Sequence, residues 1–153
     1  MITKDQIHHY AKILKTNEVT AFREYLQYVF LSVFYQHKTS SRVYFKGGTA
    51  IHIIYKAPRF SEDLDFSTQV KNSDFSKLIT DTFSRLTQSE QLSFKERKTI
   101  AGKRYLLNTT NLPSYPAVYI NLDFSFREKV QKPQSSIIET PLPVLFTDYI
   151  FHE

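Results

Sequence analysis

The sequence predicts an α+β protein, and three observations carry that expectation. Apolar residues recur at helical spacing through the first third of the chain. Two later segments, Asp63 to Ser67 and Ala117 to Phe126, alternate between faces as half-buried strands do. Between these patterns, Gly47 and Gly48 sit where a short strand-like run gives way to a helical one. A chain of 153 residues can bury a core of its own, and no repeat or interdomain linker divides it, so one domain over 1–153 is expected.

Taken in order, the first helix is expected after Thr3, a possible N-cap, with Ile7, Tyr10, Ala11 and Leu14 on one stripe. Thr16-Asn17 breaks it. A second helix is expected from about Thr20, where Phe22, Tyr25, Leu26, Val29, Phe30 and Val33 form a wide apolar stripe and call for deep burial. These two helices make up residues 1–38, and a sheet-containing core is expected over 42–140. Val43 to Phe45 reads as a strand, Thr49 to Lys56 as a helix that Pro58 ends, and Asp74 to Leu86 as another helix. Two strand-like runs flank Ala101-Gly102, which predicts a hairpin, and Pro113 and Pro116 mark a loop. Leu145, Phe146, Tyr149 and Ile150 read as the opening turns of an amphipathic helix over 144–153. A helix that short gains little alone, so the sequence is expected to be truncated or completed by another chain, by self-association or by a separate helical chain.

The 20 Lys and Arg against 15 Asp and Glu leave a net charge of +5, which suits a phosphate-bearing partner without specifying one. There is no cysteine, which excludes disulfides, a thiolate zinc site and a cysteine nucleophile. No signal peptide and no apolar run long enough to span a bilayer is visible, so the expected location is the cytoplasm and no membrane partner is expected. The 13 Phe and 10 Tyr read first as core and only second as base-stacking surfaces.

The chemistry concentrates in Asp63-Leu64-Asp65-Phe66. On a strand, Leu64 and Phe66 share one face while Asp63 and Asp65 share the other. Carboxylates this close repel unless a cation intervenes, and a hard ion such as Mg²⁺ is the natural partner. In the second strand Val118, Ile120, Leu122, Phe124 and Phe126 face one way, and Asp123 faces the other with Tyr119, Asn121 and Ser125. If the two strands are neighbours, Asp123 becomes a third ligand. Three such carboxylates would suit a two-metal phosphoryl or nucleotidyl transfer site, with Asp123 as the base. Gly47 and Gly48 would let a helix N-terminus approach a phosphate closely, with Thr49 adding a hydroxyl donor. Arg59 could clamp a phosphate, Ser61 could donate to one, and Lys46 and Lys56 lie near in sequence. The pattern taken piece by piece is also what a solvated strand face and a tight turn look like. None of the five histidines has metal-ligand spacing, and His52 reads as packing.

Phe45-Lys46-Gly47-Gly48-Thr49-Ala50 followed by Arg59-Phe60-Ser61-Glu62-Asp63-Leu64-Asp65-Phe66 resembles the AbiEii/AbiGii toxin family of bacterial nucleotidyltransferases. The resemblance covers about residues 40 to 150, with Ile120-Asn121-Leu122-Asp123-Phe124 where the family places its third carboxylate. It implies a nucleotidyltransferase fold, that is, a mixed β-sheet flanked by helices. It also implies a Mg²⁺–NTP site and nucleotidyl transfer, with tRNA ends as acceptors of related toxins and a cognate antitoxin as partner in abortive phage infection. Such proteins continue into a helical C-terminal domain, which this sequence is expected to lack. Two function classes follow: a nucleotidyltransferase acting on RNA, and a truncated or split non-catalytic module that binds a nucleotide or a partner chain. A metal-dependent nuclease would use similar carboxylates but leaves the glycine pair unexplained.

Overall fold

A computed structural model describes residues 1–127, 129–137, 140–142, 144 and 148–151. The N-terminal helix α1 spans Lys4–Leu14 and opens with a capping box. The Thr3 hydroxyl accepts from the Gln6 amide, and the Gln6 side chain accepts from the Thr3 amide. The next helix, α2, covers Glu18–Phe34, starting two residues before the expected Thr20 because the Asn17 side chain accepts from the Thr20 amide and sets the cap. A short 3-10 helix, Lys38–Arg42, leads into strand β1, Val43–Lys46.

Helix α3 spans Gly47–Tyr55, so both glycines lie in its first turn rather than in a loop before it. Strand β2 covers Leu64–Thr68 and helix α4 covers Asn72–Glu90, longer at both ends than the apolar stripe from Asp74 to Leu86. Strands β3, Ser93–Arg97, and β4, Lys103–Asn108, form the expected antiparallel hairpin about Gly102. There Gly102 has φ +77° and an added Cβ would lie 2.3 Å from the Phe124 carbonyl oxygen, so no other residue fits without strain. Strand β5 covers Tyr119–Ser125, β6 covers Gln134–Ile137 and β7 covers Asp148–Phe151.

Among the described residues, seven strands join one mixed sheet in the order β3-β4-β5-β2-β1-β7-β6. The fold is therefore α+β, as the sequence predicts. Two strands correct the sequence reading. Over 148–151, strand β7 stands where the sequence predicts part of a helix: it pairs in parallel with β1 and antiparallel with β6, and Tyr149 is 1% exposed within it. A short apolar run satisfies helical and extended patterns alike, and pairing with β1 decided the matter. Of the four residues in that expected helix, Leu145 and Phe146 lie outside the described residues. The edge strand β6 was not expected at all, since Gln134–Ile137 has no alternation of buried and exposed positions.

The core lies between the sheet and helices α2 and α4. Phe66 and Phe124 stack at 4.8 Å on adjacent strands, Phe34 of α2 sits 5.3 Å from Phe66, and Phe75 of α4 sits 5.0 Å from Phe124. These rings are all buried. Their apolar burial, of roughly 1.5–3 kcal/mol per side chain, fixes which face of the sheet is inward. Every residue one step along β2 and β5 must then point to the opposite face.

Candidate active site

One residue beyond the phenylalanine row, the pairing brings four charged residues into line. Lys46 of β1 is paired with Asp65 of β2, Asp65 with Asp123 of β5, and Asp123 with Arg104 of β4. Across the strands the row reads cation, carboxylate, carboxylate, cation, with neighbouring strands about 4.8 Å apart. The neighbourhood of β2 and β5, on which the sequence argument depended, is thus met in register.

The two carboxylates differ in setting. Burial pushes the Asp65 carboxyl above its ordinary value, and the negative charges of Asp123 and Asp63 push it further, while Lys46 and Arg104 act the other way. Its Oδ2 lies against the start of α3, 2.9 Å from where a Cβ on Gly47 would stand. Gly47 also turns at φ +84°, so its lack of a side chain serves both the backbone and the carboxylate. Asp123 is held from the other side, where Arg104 Nε donates to its Oδ1 at 2.5 Å. That bond and the charge of Asp123 hold the Arg104 guanidinium above its usual value.

Asp63 precedes β2, half-buried, and acts electrostatically on both Asp65 and Arg104. Its backbone is anchored by Thr49, whose hydroxyl donates to the Asp63 carbonyl oxygen. Thr49 is 2% exposed, and a hydroxyl has one proton to give. The structure thus gives Thr49 a positioning contact where the sequence suggested a phosphate donor. Ser61 packs against α3, with its Oγ 2.8 Å from where a Cβ on Gly48 would stand. Arg59 is exposed on the loop before β2, and the structure does not bring it into the charged row. Lys56, the left-handed C-cap of α3, is at the far end of that helix from Gly47.

Three further residues shape the site. Gln27 of α2 is 2% exposed, and its Nε2 donates to the carbonyl oxygens of Ser61 at 2.9 Å and Glu62 at 3.0 Å. It pins the segment that delivers Asp63. His52 of α3 places Nδ1 2.5 Å from the Ala57 carbonyl oxygen and Nε2 2.5 Å from Glu24 Oε1. A carbonyl only accepts, so Nδ1 carries the proton there. His52 is packed as expected, with Phe60 at 4.8 Å, and it ties the C-terminal end of α3 to α2. The third is Arg104. Gln27 could have been noticed as a polar residue inside an apolar helical stripe, whereas nothing local in Lys103–Asn108 marks Arg104.

Among the described residues, no three His, Cys, Asp or Glu side chains are grouped closely enough to hold a metal ion among themselves. Mg²⁺ with a nucleotide does not require that: it is commonly held by one or two carboxylates, the rest of its shell being water and phosphate oxygens. Asp65 and Asp123, adjacent in register and both ordinary oxygen donors, fit that requirement, and the electrostatic strain on Asp65 is what a cation would relieve.

Comparison with known proteins bears on what such a site does. A family model described as "Nucleotidyl transferase AbiEii toxin, Type IV TA system" matches residues 29–149. The fold is similar to the crystal structure of JHP933 from Helicobacter pylori, with a TM-score of 0.56 and 20% identity over 80% of this chain and 50% of that one. A second H. pylori structure, of a candidate nucleotidyltransferase, matches with a TM-score of 0.54 and 19% identity over 76% of this chain and 49% of that one. The chain spans about half the length of these structures. No curated protein sequence matches it. No helix among the described residues is long and apolar enough to cross a membrane.

Proposed function

The chain belongs to the AbiEii nucleotidyl transferase toxin family of type IV toxin–antitoxin systems, and on that premise we propose that it is a Mg²⁺-dependent nucleotidyltransferase that passes a nucleotidyl group from an NTP to an acceptor RNA such as tRNA. The reading includes its setting: a toxin component of phage defence in the cytoplasm, restrained by a cognate antitoxin. The observation that carries it is the row Lys46–Asp65–Asp123–Arg104, in which two carboxylates stand side by side between two cations.

In the reaction, the acceptor hydroxyl oxygen forms a bond to the α-phosphorus, the bond from that phosphorus to the bridging oxygen breaks, and pyrophosphate leaves. Asp65 and Asp123 are the residues that would hold the metal, with Asp63 beside them. Bound there, Mg²⁺ supplies charge neutralisation for the triphosphate. Asp123 takes the proton of the acceptor hydroxyl. Lys46 flanks the carboxylates and offsets phosphate charge, and the glycine pair lets the nucleotide approach the N-terminus of α3, whose free amides favour an anion. Ser61 lies against that turn, within the same neighbourhood, and Arg59 is the exposed cation nearest to it in sequence.

A second reading, a non-catalytic nucleotide- or partner-binding module, is favoured by one contact: Arg104 occupies an oxygen of Asp123 that the transferase reading gives to other work. One experiment separates the two. Labelled NTP is incubated with Mg²⁺, total tRNA and the chain, beside Asp65→Asn and Asp123→Asn. The transferase reading expects labelled RNA from the parent chain and at least about a hundredfold less from either variant, the scale on which loss of one transition-state contact is felt. Thermal protection by Mg²⁺–NTP without any labelling supports the binding module. Neither protection nor labelling ends the transferase and the nucleotide-binding readings and leaves the partner-binding module.

A further inference from the structure

Away from the carboxylates, the ends of β2 and β5 open onto two adjoining clefts whose described charged residues are nearly all of one sign. One, of about 560 Å³, is lined by Lys38, Arg42, Lys71 and Asp74. The other, of about 730 Å³, is lined by Arg42, Arg127 and Lys129. They share Arg42, Gln69 and Val70, so they form one continuous path. Among the described residues, five exposed cations line it against one carboxylate, Asp74. Among the described residues none of the five takes part in an ion pair, whereas Arg104 and Lys103 do. The helix α4 also begins there without a side-chain cap at Lys71, which adds the positive end of its dipole.

We propose that this path grips the phosphodiester backbone of a single-stranded RNA segment. Three features favour RNA over an acidic protein. The cations are divided between two adjoining clefts rather than gathered in one pocket, which suits a run of successive phosphates. They stand at the ends of the two strands that bear the carboxylates: Asp65 is three residues from the end of β2 at Thr68, and Asp123 two residues from the end of β5 at Ser125. At about 3.3 Å per residue that is roughly 7–10 Å, within reach of nucleotides next to an RNA terminus placed at Asp123. Phe126, beyond the end of β5 and half-buried against Phe75, lines the same path and adds an aromatic side chain to it. The identity of the polyanion as acceptor rests on the transferase reading, but its binding does not.

The test measures binding without NTP or Mg²⁺, by fluorescence anisotropy with a labelled single-stranded RNA oligonucleotide. The triple variant Arg42→Gln, Arg127→Gln, Lys129→Gln alters only exposed side chains, and a thermal melt confirms its fold. The expected result is an affinity about tenfold or more weaker, with the slope of log K against log salt reduced by about 2, since each phosphate contact in a single strand contributes roughly 0.7. Neutralising Lys12 on α1 and Lys15 at its C-cap should change neither. Asp65→Asn should retain RNA binding. RNA binding with the same affinity and salt slope in the triple variant overturns the proposal. So does an acidic polypeptide that binds through these residues while RNA does not. A chain that binds RNA through this path yet transfers nothing would end the transferase reading alone, and one that labels RNA equally well in the triple variant would end this proposal alone.

Discussion

Asp65 Oδ2 lies 2.9 Å from the point that a β-carbon on Gly47 would occupy, and Gly47 itself holds φ +84°. A side chain there meets a strained backbone and a displaced carboxylate at once. Gly47→Ala is therefore expected to destabilise the fold by about 1–3 kcal/mol and to lack the stabilisation by Mg²⁺–NTP that the proposed function expects of the parent chain. Gly48→Ala faces only the Ser61 hydroxyl, has no positive φ to maintain, and should cost less. Urea unfolding with and without Mg²⁺–NTP reads both effects. If the two alanine variants behave alike, the close approach to Asp65 is not what requires glycine.

Asp65 has a carboxyl raised above its ordinary value by burial and by its acidic neighbours. Ionising it in the folded chain therefore costs more than in the unfolded chain. The folded state binds more protons between the ordinary and the raised value, so stability falls as pH rises through that window and stays lowered above it. Asp65→Asn is expected to be more stable than the parent at neutral pH in the absence of metal, with the gain vanishing below the ordinary aspartate range. Urea midpoints across pH check this, and a variant less stable at neutral pH would contradict the electrostatic picture.

Arg104 lowers the Asp65 carboxyl through its charge, two strands away, while bonding directly to Asp123. Arg104→Gln should therefore move the Asp65 titration upward. Carboxyl-carbon NMR titration reports that movement directly. An unmoved or lowered Asp65 would show that the row does not act as a unit.

Thr49→Val keeps the shape of a buried side chain and deletes the hydroxyl that donates to the Asp63 carbonyl. Leaving that acceptor without its partner should cost about 1–3 kcal/mol. Because the bond fixes the start of β2, nucleotide protection should weaken by more than the loss of stability alone accounts for. If Thr49→Val binds Mg²⁺–NTP as the parent does, the anchor is not needed to place Asp63.

Tyr149 is 1% exposed in β7 and its ring lies 5.7 Å from that of Tyr35. Tyr149→Ala should cost about 3–5 kcal/mol, as other large-to-small aromatic changes in cores do. A surface residue of a frayed helix would cost far less. Chemical denaturation of this variant therefore tests whether the sheet extends beyond β1.

Strict alternation along Leu64–Asp65–Phe66 and Leu122–Asp123–Phe124 determined that the aspartates face away from the core, because covalent geometry alone sends successive side chains to opposite sides of a strand. Thr3 and the glycine pair likewise marked helix starts, since capping and left-handed backbone are local matters. The sequence could not decide which strand lies beside which. The pairing of Asp65 with Asp123, and of Asp123 with Arg104, joins residues far apart in the chain, and it is fixed by packing Phe66 and Phe124 under α2 and α4. Gln27 acquires its partners, the carbonyls of Ser61 and Glu62, the same way. So does Tyr149: its run of apolar residues suits a helix or a strand, and only the open edge of β1 made it a strand. Local pattern set the direction of each side chain, and the burial of the whole sheet set its neighbours.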